Sequence, residues 1–326
     1  MIYAYGVTQQ GIYHVKNDTV CQDAHRYLLC TRNSAIGAVA DGLGSELYSD
    51  TASRIAADVA VEYCAEHIAD AQTQQELFDI LCDSFRTAQH QIEETAFENG
   101  HDPDQYDTTL SLAILIDGWL YYGQSGDSGI IAYTEDGCYE QVTEQQRDEE
   151  GRVYPLYFGE AKWVFGIYPK RVASVLLATD GMLELMYPIY IRDAQVKIHV
   201  ALAKYFMDSE SLHLESLGSD EVGERIGRFM LGIPESRVND DKTILVLTDD
   251  EIAVTKQPPD YYAEPDWNEL KRKYDAAWRE LAYPGLSSRR EEEPSEEEDT
   301  EEACGNPPVR DGAIEETQSD DDAEAD

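Results

Sequence analysis

Ile36-Gly37-Ala38-Val39-Ala40-Asp41-Gly42-Leu43-Gly44-Ser45 is an apolar run of strand length that stops abruptly at an Asp-Gly pair, with helical spacing resuming a few residues later. A carboxylate at a strand's end is held by rigid backbone yet faces solvent. The glycine after it permits a tight turn and the close approach of a ligand. One such element carries little weight, because Asp-Gly is also a common turn dipeptide. The construction returns far downstream, where the apolar stretch 172–179 runs into Asp180-Gly181-Met182-Leu183 and another helical pattern.

Two further Asp-Gly pairs are of a different kind. Asp117-Gly118 lies between strand patterns at 110–116 and 119–124, and Glu135-Asp136-Gly137 between 130–134 and 138–143, so both are read as hairpin turns without chemistry. Between the hairpins, Gly123-Gln124-Ser125-Gly126-Asp127-Ser128-Gly129 is rich in small residues, as where backbone must come close to something. Upstream, a first strand at 2–8 leads into a polar loop at 9–20 containing His14 and Lys16. Cys21-Gln22-Asp23-Ala24-His25 follows, and a strand resumes at 27–30.

Ala52, Ile55, Ala56, Val59, Ala60, Tyr63 and Cys64 form one helical stripe; Leu77, Leu81, Phe85, Ala88, Ile92 and Ala96 form a second. Thr73 with Glu76 makes a capping box for the second helix. Both stripes are read as core faces. The segment 145–169 has aromatics but no period, and reads as a flap over a site or as a long loop packed on a sheet. Helices are expected at 194–207 and 220–231, and a last strand at 243–248, entered through Asn239-Asp240-Asp241-Lys242. Runs of strands alternating with runs of helices argue for a layered α+β domain over residues 1–250, not a doubly wound βαβ fold. A linker at 251–284 would contain an amphipathic helix at 266–282, expected to pack back on the core. The acidic stretch 285–326 cannot bury enough apolar surface to fold and is expected to be a disordered tail.

Of 326 residues, 42% are hydrophobic, which suits a folded protein, but the formal charge is −41. From Leu286 onward there are 17 acidic and 3 basic residues, and the first 285 residues still carry −27. Such a field argues against nucleic acid and membrane surfaces as partners, and it tolerates divalent cations. Cys21, Cys30, Cys64, Cys82, Cys138 and Cys304 are scattered without a Cys-x-x-Cys, as idle thiols in a reducing compartment would be. No basic-then-apolar leader opens the chain, and no apolar run approaches the roughly 20 residues that span a bilayer. A cytoplasmic location is expected.

With the turn pairs set aside, Asp23, Asp41, Asp127, Asp180 and Asp240 remain, each beside an apolar strand. If the strands are neighbours, these carboxylates converge, and like charges at close range require a cation. All-oxygen ligands select hard ions, Mg²⁺ or Mn²⁺, and two such ions about 3.5–4 Å apart activate a water and clamp a phosphoryl group. The plainer reading is five loop aspartates that cap helices and turns.

Cys21-Gln22-Asp23-Ala24-His25, Ala40-Asp41-Gly42-Leu43-Gly44, Asp107-Thr108-Thr109-Leu110, Gly126-Asp127-Ser128, Thr179-Asp180-Gly181 and Asn239-Asp240-Asp241-Lys242-Thr243 stand in the order and approximate spacing of one known family. Over residues 1 to about 250 the chain resembles the type 2C metal-dependent protein phosphatases, their bacterial branch above all. The resemblance implies a four-layer α-β-β-α sandwich of two antiparallel sheets flanked by helix pairs, with a binuclear Mn²⁺ or Mg²⁺ centre at one end. Asp41 would bridge both ions and the Gly42 carbonyl would ligate one. Asp180 and Asp240 would complete the other shell, and Asp127 would hold a third, weaker ion. Asp23 would orient the attacking water. The implied activity is hydrolysis of phosphoserine and phosphothreonine in proteins, with a kinase or a kinase target as partner.

Departures from the family pattern are specific. The arginine that grips phosphate ahead of the first aspartate is missing, and His14 and Lys16 are the cationic candidates in that loop, neither offering a bidentate fork. Leu43 stands where some members carry a general-acid histidine, so leaving-group protonation would fall to water or His14. Gly129 replaces an arginine read as a surface residue. A second reading follows from these losses: a non-catalytic member of the fold that binds or regulates a partner.

Overall fold

Side chains alternate along β3 (Ser34–Asp41) between two separate cores. Ala35 and Val39 pack with Ala113, Leu115, Leu245 and Leu247, while Ile36, Ala38 and Ala40 pack with Ala56, Ala60 and Phe85. A strand apolar on both faces has to be covered twice. In the computed structural model, which describes residues 1–283, four layers do this. One antiparallel sheet runs β2 (Asp23–Thr31), β3, β4 (Leu110–Ile116), β5 (Trp119–Ser125) and β8 (Val164–Ile167). The other runs β1 (Ile2–Gln9), β10 (Lys242–Asp249), β9 (Val172–Ala178), β6 (Gly129–Thr134) and β7 (Tyr139–Gln141). Helices α2 (Ser49–His67) and α3 (Gln74–Asn99) cover the first sheet; α4 (Asp180–Met186), α5 (Val200–Met207), the short α6 (Ser209–Leu212) and α7 (Leu214–Leu231) cover the second. This is the sandwich expected.

The local signals account for much of it. Thr73 and Glu76 form the capping box at the start of α3, and all six residues of its stripe are buried. The four Asp-Gly pairs sort as read: Gly118 and Gly137 sit at φ +76° and +77° in hairpin turns, whereas Gly42 and Gly181 are absent from the left-handed region and serve close packing instead. A Cβ on Gly42 would lie 2.5 Å from the Ser49 carbonyl oxygen, and one on Gly181 2.1 Å from that of Asp241.

Other expectations need correction. The loop at 9–20 contains a short helix, α1 (Ile12–Lys16), whose five residues give too little length for a period. β2 begins at Asp23, because pairing to β3 extends it beyond its apolar residues. The segment 145–169 supplies β8, registered on β5 from Gln124–Val164 to Tyr121–Ile167. The helix expected from 194 starts only at Val200, and the one expected from 220 begins at Leu214, broken at Gly218 (φ +78°). Gly129 is buried, its missing Cβ 2.9 Å from Leu183, so no surface arginine was lost there.

Residues Met1–Tyr274 make one compact unit. Within it the segment after β10 runs along the β6–β7 hairpin, where Tyr139 N donates to Tyr261 Oη (2.8 Å) and Tyr262 Oη donates to the Gly137 carbonyl (3.1 Å). Trp267 and Tyr274, on α8 (Trp267–Ala282), stack edge-on against His199 and Tyr190 at 4.7 and 5.5 Å. A second unit begins at Asp275 and is described to residue 283. The acidic stretch 285–326 lies outside the described residues. No helix among the described residues is long and apolar enough to cross a membrane.

His25, on β2, lies over Gly6 of β1 with its Nδ1 2.7 Å from Thr8 Oγ1, and burial pushes its pKa down to about 4. The folded state therefore favours the neutral ring: its contribution is complete above the ordinary value of 6.5 and is lost as pH falls toward 4. Urea unfolding at pH 7 and pH 5 should show a loss of stability in the wild type that is smaller in His25→Gln.

Candidate metal centre

Strands from both sheets end at one edge of the sandwich, and the acidic residues lie at those ends. Asp41 closes β3, and Asp23 opens β2 directly opposite it in the antiparallel register. Asp127 lies in the short connection from β5 to β6, Asp180 is the first residue of α4 after β9, and Asp240 precedes β10. Along β3 the inter-sheet side is taken by Ala35 and Val39, so the two-residue period brings Asp41 to the mouth between the sheets. Asp41, Asp127, Asp180 and Asp240 line a cavity of about 360 Å³ together with His14 and Gly42. A larger groove of about 520 Å³ beside Leu28 and Ile116 has one carboxylate, Asp117, and no converging acidic set.

One oxygen each from Asp41, Asp127 and Asp180 lie within 4.8 Å of one another. Asp240 faces the same cavity outside this trio, and Asp23 sits behind it, buried, with Oδ2 accepting from Thr179 Oγ1 at 2.8 Å. The electrostatics follow. Burial, then the charges of Asp23, Asp180, Asp127 and Asp240, hold the Asp41 carboxyl well above the usual carboxylate range. Burial and Asp241 do the same to Asp23, and burial and Asp240 raise Asp180. Asp127 is pushed up to about 6 by burial and Asp180, against the opposing pull of Arg147. Its Oδ2 is buried against the Arg147 guanidinium. Crowded, dehydrated carboxylates fit a hard dication, which would satisfy lone pairs and charge together.

The backbone that carries Asp41 is tightly held. Thr109 Oγ1 accepts from Asp41 N (2.9 Å), Thr109 N donates to the Asp41 carbonyl (2.8 Å), and Thr108 Oγ1 donates to that carbonyl (3.0 Å). Gly42 N donates to the Gln22 carbonyl (3.0 Å), tying the Asp-Gly pair to the strand that bears Asp23. The Thr-Thr pair of the sequence motif is thus the brace of the Asp41 end.

His14 reaches the cavity from α1, with Nδ1 2.9 Å from Asp241 Oδ1. Lys16 does not: it leaves the lining and pairs with Glu235 at 2.6 and 2.8 Å. Two residues were missed in the sequence. Asp241, 3% exposed, accepts from Gly11 N and Gln22 N, each at 2.6 Å, and so clamps α1 and the start of β2 onto β10. Counting back by twos from the inward Leu245 would have singled it out over Asp240. Arg147, from the flap-like segment, contacts Asp127 Oδ2 and donates to Asp180 Oδ2 at 3.1 Å. Nothing local distinguishes it from Arg152, which pairs with Asp148 and Glu150 instead.

The family model for protein phosphatase 2C matches residues 10–212. The chain belongs to the protein phosphatase 2C family. Solved structures agree on the fold of this family member: a bacterial serine phosphatase, 16% identical over 77% of this chain and 100% of that one, superposes with a TM-score of 0.50. A point variant of a bacterial serine phosphatase, at the same identity and coverage, gives 0.53. The catalytic domain of the serine threonine protein phosphatase PstP in complex with 2 manganese ions is 17% identical over 76% of this chain and 97% of that one, with a TM-score of 0.49. No curated protein sequence matches the chain.

Thr109 also meets Ser128 Oγ at 3.1 Å, so one hydroxyl links the Asp41 and Asp127 segments. Thr109→Val keeps the shape but strands buried polar groups, and should lower the stability measured by urea unfolding by about 1–3 kcal/mol. Thr109→Ser should recover most of that loss.

Proposed function

We propose that this protein phosphatase 2C family member is a metal-dependent phosphoserine/phosphothreonine protein phosphatase. Asp41, Gly42, Asp180 and Asp240 would hold two Mn²⁺ or Mg²⁺ ions, and Asp127 a third. The observation that carries this reading is the meeting of Asp41, Asp127 and Asp180 oxygens within 4.8 Å, in a cluster of buried carboxylates that raise one another's proton affinity. When bound, such ions supply a water nucleophile at neutral pH and neutralise phosphoryl charge.

The chain's own groups have distinct parts in this reading. Asp23, held by Thr179 and opposite Asp41 in the ladder, would accept a hydrogen bond from the attacking water and orient it. His14 has Nδ1 2.9 Å from Asp241 Oδ1, and its Nε2 would meet the substrate as phosphate contact and proton donor to the leaving oxygen. Lys16, paired with Glu235, contributes little to phosphate binding. The substrate would be a phosphoprotein, a kinase or the target of one.

Manganese-dependent hydrolysis of a phosphothreonine peptide and of p-nitrophenyl phosphate tests the proposal. Asp41→Asn and Asp180→Asn should each lower kcat by about 10²-fold or more. Absence of turnover with manganese in excess, from neutral to mildly alkaline pH, would overturn it. Loss of turnover together with no Mn²⁺ binding by calorimetry would favour the non-catalytic, partner-binding reading.

A further inference from the structure

Four carboxylates line the cavity, and a phosphate dianion entering it needs positive charge. Among the described residues of the lining, Arg147 is the one guanidinium or ammonium group; His14 is the other basic group. Lys16 is spent on Glu235, and Lys242 is buried outside the lining with Nζ on the Asp240 carbonyl at 3.2 Å.

Arg147 is delivered by a built loop. Gln146 N donates to the Gly126 carbonyl (3.0 Å), and Gly126 N donates back to Gln146 Oε1 (2.9 Å). Gln145 Nε2 donates to the Asp127 carbonyl (2.9 Å). On the other side, Asp148 Oδ1 accepts from the backbone of Glu150 and Arg152, each at 2.9 Å, closing a tight turn over Gly151 (φ +83°). The backbone at Arg147 is therefore pinned to the loop that carries Asp127, while the side chain, 42% exposed, keeps its own torsions. Nη2 lies on Asp127 Oδ2 and Asp180 Oδ2, and Nη1 reaches the Gly151 carbonyl at 3.3 Å. Asp127 and Asp180 are two of the three converging carboxylates. A dication on the Asp127 and Asp180 carboxylates competes with the guanidinium for their lone pairs and repels it.

We propose that Arg147 is the phosphate-gripping residue of this chain, held on Asp127 and Asp180 until a dication takes its place. The proposal rests on the phosphatase reading and deepens it. Displaced from its carboxylates, the guanidinium remains tethered at the cavity and turns its planar fork to two phosphoryl oxygens, the bidentate geometry that neither His14 nor Lys16 offers. The family's arginine ahead of the first aspartate is then replaced from the opposite wall. Exchange on shared oxygens also links the two ligands: cation loading frees the group that binds phosphate, and phosphate binding holds it away from the cation's site.

Calorimetry on the full chain separates the possibilities. Mn²⁺ is titrated into wild type, Arg147→Met and Arg147→Lys, then inorganic phosphate into each manganese-loaded protein, with KM and kcat for p-nitrophenyl phosphate measured in parallel. Arg147→Met should bind Mn²⁺ about tenfold more tightly at one site. It should bind phosphate about tenfold more weakly, with KM raised more than kcat is lowered. Arg147→Lys should retain the competition with Mn²⁺ yet regain little phosphate affinity. Unchanged or weaker Mn²⁺ affinity in Arg147→Met overturns the exchange, and unchanged phosphate affinity overturns the grip, while the phosphatase reading stands. If neither wild type nor Arg147→Met binds Mn²⁺, the phosphatase reading falls and this proposal with it.

Discussion

The dehydration of like charges at one edge of the sandwich is the constraint on which the site depends. Strands from two different sheets deliver Asp23, Asp41, Asp127, Asp180 and Asp240 to the same place, where burial and neighbouring charge disfavour the carboxylates of Asp23, Asp41, Asp127 and Asp180. A protein gains no stability from such a cluster. Its persistence requires a rigid frame and a source of positive charge.

The frame is built from backbone. Asp23 and Asp41 are opposite partners in one ladder, so neither can retreat without unzipping β2 from β3. The Thr108-Thr109 pair brackets Asp41 from β4, and Asp241 reaches from β10 to the backbone of Gly11 and Gln22. Gly42 and Gly181 let neighbouring segments come within distances that any side chain would forbid. Positive charge comes, within the chain, from Arg147 on a turn anchored to the Asp127 loop. Frame and flap thus meet at Asp127, whose carbonyl accepts from Gln145 and whose carboxylate faces Arg147.

Much of the fold was legible because its signals are local. The Thr73–Glu76 box, the stripe from Leu77 to Ala96 and the Asp117-Gly118 turn depend on residues within a few positions of one another, and all are present. Strand β8 escaped because Val164, Phe165, Gly166 and Ile167 lie at a sheet edge, with Val164 and Ile167 exposed, and show no alternation to read. The helix start at Val200 rather than near 194 reflects a turn-forming approach segment whose composition resembles helix.

The sequence by itself determined the strands other than β8, the two kinds of Asp-Gly pair, and the aspartates that stand at strand ends, since each follows from periodicity and turn chemistry over a few residues. Only tertiary structure decided that Asp41, Asp127 and Asp180 meet, that Asp241 is a clamp, that Lys16 turns away to Glu235, and that Arg147 enters the acidic cluster. These are contacts between segments far apart in the chain. Their geometry is set by how two sheets pack and where a flap is pinned, and no local pattern carries that information.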